Sequence, residues 1–98
     1  MPKGYIYAEF EVTDAVAWRT YVPLAQASLA DFGARAVVEV GDAEVLEGDL
    51  GGRRISILEF ESPDEARRWY RSSQYQAAKA TRLNAARLTA LLLFGPEA

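Results

Sequence analysis

The chain has 98 residues, a formal net charge of −3, and neither cysteine nor histidine. One domain spanning 1–98 accounts for that length. With 50% hydrophobic and 26% charged residues, the composition is globular rather than disordered. The mildly acidic balance argues against a general nucleic-acid binder. The missing cysteines exclude disulfides and thiolate chemistry. The missing histidines exclude Ser-His-Asp catalysis and the usual zinc and haem ligation, so neither a metal nor a cofactor is expected.

Met1-Pro2-Lys3-Gly4 leads directly into a strand pattern without the features of a signal peptide, and the longest apolar run, around Leu91 to Phe94, is too short to span a bilayer. A cytoplasmic protein with no membrane contact is expected. Tyr5 to Val12 alternates, with Ile6, Ala8, Phe10 and Val12 on one face and Tyr5, Tyr7, Glu9 and Glu11 on the other. Thr13 or Asp14 caps a helix whose stripe is Trp18, Tyr21, Val22, Ala25, Leu29 and Phe32. Pro23 falls inside it and predicts a kink. Gly33 ends it in the left-handed conformation. Arg35 to Val40 reads as the second strand, closed by a Gly41-Asp42 turn. A short extended piece, Glu44 to Glu47, precedes the glycine-rich loop from Gly48 to Gly52. That loop lacks the strand-loop-helix setting of a phosphate cradle and reads as a connection.

Arg54 to Phe60 is the third strand. Ser62-Pro63-Asp64-Glu65 then opens the second helix, with serine as cap, proline at the first helical position and glutamate placed for a capping box. Ser72-Ser73 interrupts this helix and caps a continuation through Tyr75, Ala78 and Arg82. Leu88 to Phe94 is the last strand. The order β-α-β-β-α-β predicts an α+β fold of ferredoxin-like type, a four-stranded antiparallel sheet with two helices on one face. Two helices cover one face only. The last strand does not alternate, and the third carries Ile55 and Ile57 on one side and Leu58 and Phe60 on the other. Both faces therefore need cover, which a second copy of the chain laid sheet to sheet supplies.

Several short stretches together resemble the domain-of-unknown-function 1330 family of the dimeric α/β-barrel superfamily. They are Lys3-Gly4-Tyr5, Val12-Thr13-Asp14, Tyr21, Phe32-Gly33-Ala34, Val45-Leu46-Glu47-Gly48, Glu59-Phe60, and Trp69-Tyr70-Arg71-Ser72 leading into Tyr75-Gln76-Ala77-Ala78-Lys79 and Arg82. The likeness covers nearly the whole chain in order. One departure is Ser73-Gln74, where the family commonly has Pro-Glu, so a carboxylate is lost there. The resemblance implies a homodimer of ferredoxin-like subunits and implies no established activity.

Candidate chemistry concentrates on two faces. The first and third strands are expected at the centre of the sheet, adjacent and parallel, with Glu9 and Glu59 at similar heights on the face away from the helices. Two carboxylates close together in a dry site raise one pKa and make a general base; alternatively Arg35, Arg53, Arg54 or Arg82 neutralises them as structural ion pairs. Tyr7 shares the face of Glu9 and is a candidate pocket residue. Trp18, Tyr21 and Trp69 lie on helical stripes and read as core. Tyr75 and Arg82, about two helical turns apart, share a helix face and can hold an anionic or planar ligand, or else simply close the helix onto the sheet. From Ala66 to Pro96 the chain has six cations and no acid; this is either an anion-binding helix face or a set of cations paired elsewhere.

Three functions follow. The first is a homodimer binding a small organic molecule through Tyr7, Glu9, Glu59, Tyr75 and Arg82. The second is a cofactor-independent monooxygenase- or isomerase-like enzyme acting on a small planar substrate, with Glu9 and Glu59 as candidate catalytic residues. The third is a purely structural dimer. The first is preferred.

Overall fold

The computed structural model describes residues 2–38 and 43–95. The elements run β1 (Gly4–Val12), α1 (Ala15–Ala30), β2 (Arg35–Val38), β3 (Arg54–Phe60), α2 (Pro63–Arg71), α3 (Ser73–Arg82) and β4 (Ala86–Phe94). The four strands form one sheet in the order β2-β3-β1-β4, every neighbouring pair antiparallel. This is the ferredoxin-like α+β arrangement. The expected end of the second strand and the Gly41-Asp42 turn lie outside the described residues. Glu44 to Glu47 joins no strand ladder.

The caps follow from the residue types. Asp14 accepts hydrogen bonds from the backbone N–H groups of Val16 and Ala17 at 3.0 and 3.1 Å, fixing the start of α1. The helix runs on through Pro23 without a break. After it, Gly33 takes φ 62°, a conformation that side chains with a Cβ rarely adopt. Ser62 caps α2 by accepting from Glu65 N–H at 3.1 Å. The Glu65 carboxylate is bonded to Arg68 instead of closing the other half of the box. Ser72 ends α2 and caps α3, its hydroxyl accepting from Tyr75 N–H.

The core lies between helices and sheet around Ile6, Tyr21, Leu29, Phe60, Ala66, Trp69, Tyr75 and Ala78. Ser28 is fully buried on α1 and accepts from the Trp69 indole N–H at 2.9 Å, which ties α1 to α2. Ring contacts form two runs, Phe10 stacking on Trp18 at 4.8 Å with Trp18 meeting Tyr21 at 5.0 Å, and Trp69 meeting Tyr75 at 4.1 Å, joined by the Tyr21–Tyr75 hydroxyl bond.

Strand direction requires one correction. β1 and β3 are antiparallel, not parallel. The helical crossover leaves β1 and β2 pointing the same way, and β3, which follows β2 as an antiparallel neighbour, slots between them and opposes both. A second adjustment concerns β4. The register shifts between Glu9 and Phe10, so that Ala8 pairs with Leu91 while Phe10 pairs with Leu88. This bulge turns both Leu88 and Leu91 to the helix side, which explains part of the missing alternation. Leu92 and Phe94 still face the other way, opposite Tyr7 and Tyr5, and are 48% and 50% exposed.

Candidate functional site

α1 packs chiefly along α3 and stands off the sheet, and the space left beneath it is a cavity of about 300 Å³. Its cause is legible in side-chain size. Ala8 on β1, Ala36 on β2, Ser56 on β3 and Ala25 on α1 all point into it and are too small to fill it. Ile6, Leu58, Leu91 and Val22 make the walls apolar, Trp18 and Trp69 supply aromatic faces, and the Tyr21, Tyr75 and Arg82 side chains complete the lining. Gln26 and Arg54, both exposed, stand at the rim.

The polar group inside is a chain of three side chains. Arg82 donates to the Tyr75 hydroxyl at 3.0 Å, and the Tyr75 and Tyr21 hydroxyls are bonded to each other at 3.0 Å. Tyr75 and Arg82 are seven residues apart on α3 and so lie on one face, as expected, while Tyr21 comes from α1. Arg82 is only 6% exposed, yet it forms no ion pair with any described carboxylate. Taking a cation out of water without a counter-charge costs on the order of several kcal/mol, so its position here is not explained by packing alone. Among the other cations of the acid-free segment, Arg67 and Arg68 pair with Asp64 and Glu65, and Arg87 pairs with Glu11.

Burial pushes the Tyr21 hydroxyl far above the usual phenol range, helped by Tyr75 and opposed by Arg82. It is therefore a neutral phenol and not a base. Because the folded value lies above the unfolded one of 10.0, the stability Tyr21 contributes is complete below that pH and is lost as pH rises toward the folded value. Alkaline titration followed by phenolate absorbance should show a tyrosine that ionises only as the protein unfolds. Tyr21→Phe should lessen the alkaline loss of stability.

The candidates on β1 and β3 lie elsewhere. Tyr7, Glu9 and Glu59 share the sheet face away from the helices and do not line the cavity. Glu9 sits opposite Ile55 and Glu59 opposite Tyr5. Four residues of register separate them, roughly 13 Å along the strands. They are not a carboxylate pair, because antiparallel strands carry them toward opposite ends of the ladder. Glu9 bonds Arg53 at 3.1 Å and accepts from Tyr7 at 3.0 Å; Glu59 accepts from Arg35 and from Tyr5, both at 3.2 Å. Burial and the Glu9 carboxylate raise the Tyr7 pKa. The Arg35 guanidinium holds the Glu59 carboxyl below the ordinary 4.5, assisted by Tyr5 and opposed by desolvation. Its contribution to stability is accordingly present above pH 4.5 and lost as pH falls through the lowered folded value, and Glu59→Gln should flatten that acid limb. Glu9→Gln should cost about 1 kcal/mol or less in denaturant unfolding, as partly exposed ion pairs do.

Tyr21, Gln26, Arg54 and Ser56 were not singled out by the sequence as site residues. Arg54 and Ser56 left a signal. On β3 they alternate with Ile55 and Ile57 and share the inward face of Leu58 and Phe60, where polar residues would be out of place in a filled core. Among the described residues no group of three or more acidic side chains is placed to hold a metal ion, and no helix is long and apolar enough to cross a membrane.

No curated protein sequence matches the chain. Solved structures resemble it at low identity. A cofactor-independent oxygenase from Streptomyces nogalater, SnoaB, is 13% identical with a TM-score of 0.69, the match covering 100% of this chain and 96% of that one. A protein of unknown function from Rhodopseudomonas palustris is 17% identical with a TM-score of 0.73, covering 99% and 83%. A dimeric protein of unknown function and ferredoxin-like fold from Bacteroides fragilis is 16% identical with a TM-score of 0.62, covering 98% and 95%. These likenesses establish a common fold. The model of a domain of unknown function, DUF1330, matches residues 3–96, and the chain belongs to that family.

Proposed function

We propose that this protein binds a small organic molecule in the cavity between α1 and the sheet. The observation that carries this reading is the convergence of Tyr21, Tyr75 and Arg82 on a largely apolar space of about 300 Å³, a size and composition suited to a small ligand. The ligand residues are Tyr75 and Arg82, joined by Tyr21; Tyr7, Glu9 and Glu59 belong to the opposite face and act there as structural partners. The enzyme reading receives less support. No acidic residue is among the described residues lining the cavity, and Tyr21 is held protonated, so a general base for proton abstraction is missing from the lining.

In this proposal the chain pairs with a second copy as a homodimer and works in the cytoplasm. The outer sheet face, with Tyr5, Tyr7, Ile55, Ile57, Leu92 and Phe94, is apolar enough to need covering, and a dimeric relative of the same fold supports a second copy as the cover. The ligand reading is tested by thermal shift against planar acids, phenols and quinones. A compound present at about 100 times its dissociation constant adds roughly 2.7 kcal/mol, which raises the melting temperature by several degrees or more. Ala36→Phe, which fills the cavity, should abolish the shift. If no compound of the panel moves the melting temperature, the reading fails.

A further inference from the structure

We infer that the molecule taken by this cavity is an organic anion with an apolar body, an aryl- or alkyl-carboxylate, whose charged end is received by Arg82 and the Tyr21–Tyr75 pair. The inference rests on the cavity being a ligand site and adds the ligand's charge and shape.

The first ground is the sign of the charge inside. Two arginines line the cavity, Arg82 within and Arg54 at the rim, and no acid among the described lining residues opposes them. Neither forms an ion pair with a described carboxylate, although six such pairs use other cations of the chain. A guanidinium in an apolar, water-poor space attracts an anion more strongly than an exposed one does, because little solvent screens it. An anion entering here supplies the counter-charge that the fold itself omits.

The second ground is a count of protons. Arg82 donates to the Tyr75 oxygen. The two phenols hold two hydroxyl protons and share one bond between them, whichever of them donates. One phenolic proton is therefore left over, and no described residue accepts it. Where Tyr75 donates to Tyr21, the spare proton is that of Tyr21, which burial holds well above neutral pH. Arg82 has further N–H groups beyond the one given to Tyr75. Guanidinium and phenol donors thus converge on one place, and a carboxylate, with two oxygens and only acceptor capacity, matches them. A neutral amide offers one acceptor oxygen and no charge to match the guanidinium. The third ground is the wall. Ile6, Leu58, Leu91 and Trp69 make up most of the remaining wall, where the described polar side chains besides the arginines and phenols are Ser56 and, at the rim, Gln26, so the body of the ligand is mainly hydrocarbon or aromatic.

The test is isothermal titration of the full chain at low ionic strength with 3-phenylpropanoate and 4-phenylbutanoate, each beside its primary amide, and with sulfate. The acids are expected to bind at least about tenfold more tightly than the amides, and sulfate far more weakly than either acid. In Arg82→Met the acid's advantage should disappear, while Arg82→Lys, which keeps the charge without the planar fork, should retain part of it. Amides binding as well as acids to the wild-type protein would overturn the inference and leave the cavity as a neutral-ligand site. Sulfate binding as tightly as the acids would overturn the claim of an apolar body. Failure of acids, amides and a neutral control, 2-naphthol, to bind at all would remove the ligand site itself. The wild-type comparison decides the matter even where the Arg82→Met protein does not fold.

Discussion

Gly4→Ala is expected to destabilise the fold by about 1–3 kcal/mol, the range of overpacking at a rigid contact. Gly4 is buried at the start of β1, paired with Phe60. A Cβ placed there lies 2.6 Å from the Cα and N of Pro63 and from the carbonyl oxygen of Ser62. All three are backbone atoms, and Pro63 has a fixed φ, so no side chain can swing aside to make room. Moving them displaces Ser62, whose hydroxyl caps α2, and with it the helix that carries Trp69 into the core. The demand is steric: the backbone at Gly4 is not in the positive-φ region. Urea unfolding measures the effect. A value within 0.5 kcal/mol of wild type, the usual range for an inconsequential surface change of about that size, would mean that the β1–α2 approach is looser than described.

Leu92→Asp is expected to convert a dimer into a folded monomer. Leu92 faces away from the helices, opposite Tyr7, and is 48% exposed in the single chain. It therefore contributes little to the core, and an aspartate there leaves the subunit fold standing. In a two-fold dimer the change is made twice, and each buried carboxylate must shed its water without a partner. Desolvation of several kcal/mol per ion raises the dissociation constant by roughly a thousandfold or more. Sedimentation velocity at micromolar concentration should show dimer for the wild type and monomer for the variant, with unchanged circular dichroism. A wild type that sediments as a monomer, or a variant that remains dimeric, would show that another surface or no surface is shared.

Local chemistry in this chain is legible because each signal acts within a few residues. Asp14, Gly33, the Ser62-Pro63 pair and Ser72 each satisfy or redirect a helix end by themselves, and the elements begin and end beside them. The outward face of β1 and the shared face of Tyr75 and Arg82 followed from periodicity alone. Relations between elements were harder to read. Whether Glu9 and Glu59 meet depends on the direction in which β3 slots beside β1, and antiparallel pairing separates them. The apolar run of β4 was read as evidence for two dry faces, yet the bulge opposite Glu9 and Phe10 accounts for Leu88 and leaves only Leu92 and Phe94 for the outer face. The cavity has no sequence motif. It arises where Ala8, Ala25, Ala36 and Ser56, distant in the chain, face one another across a gap between α1 and the sheet. Tyr21 was read as core from its stripe position and is part of the core, although it also lines the cavity. Its hydroxyl, which needs a partner once buried, was the feature that distinguished it.

Whether the ligand sits between α1 and the sheet is decided by intermolecular nuclear Overhauser effects from bound 4-phenylbutanoate to assigned side chains. The predicted pattern joins the phenyl protons to Val22, Leu58 and Leu91 and perturbs the Arg82 guanidinium resonances. Contacts instead to Ile57, Leu92 and Phe94 on the outer face of the sheet would contradict it.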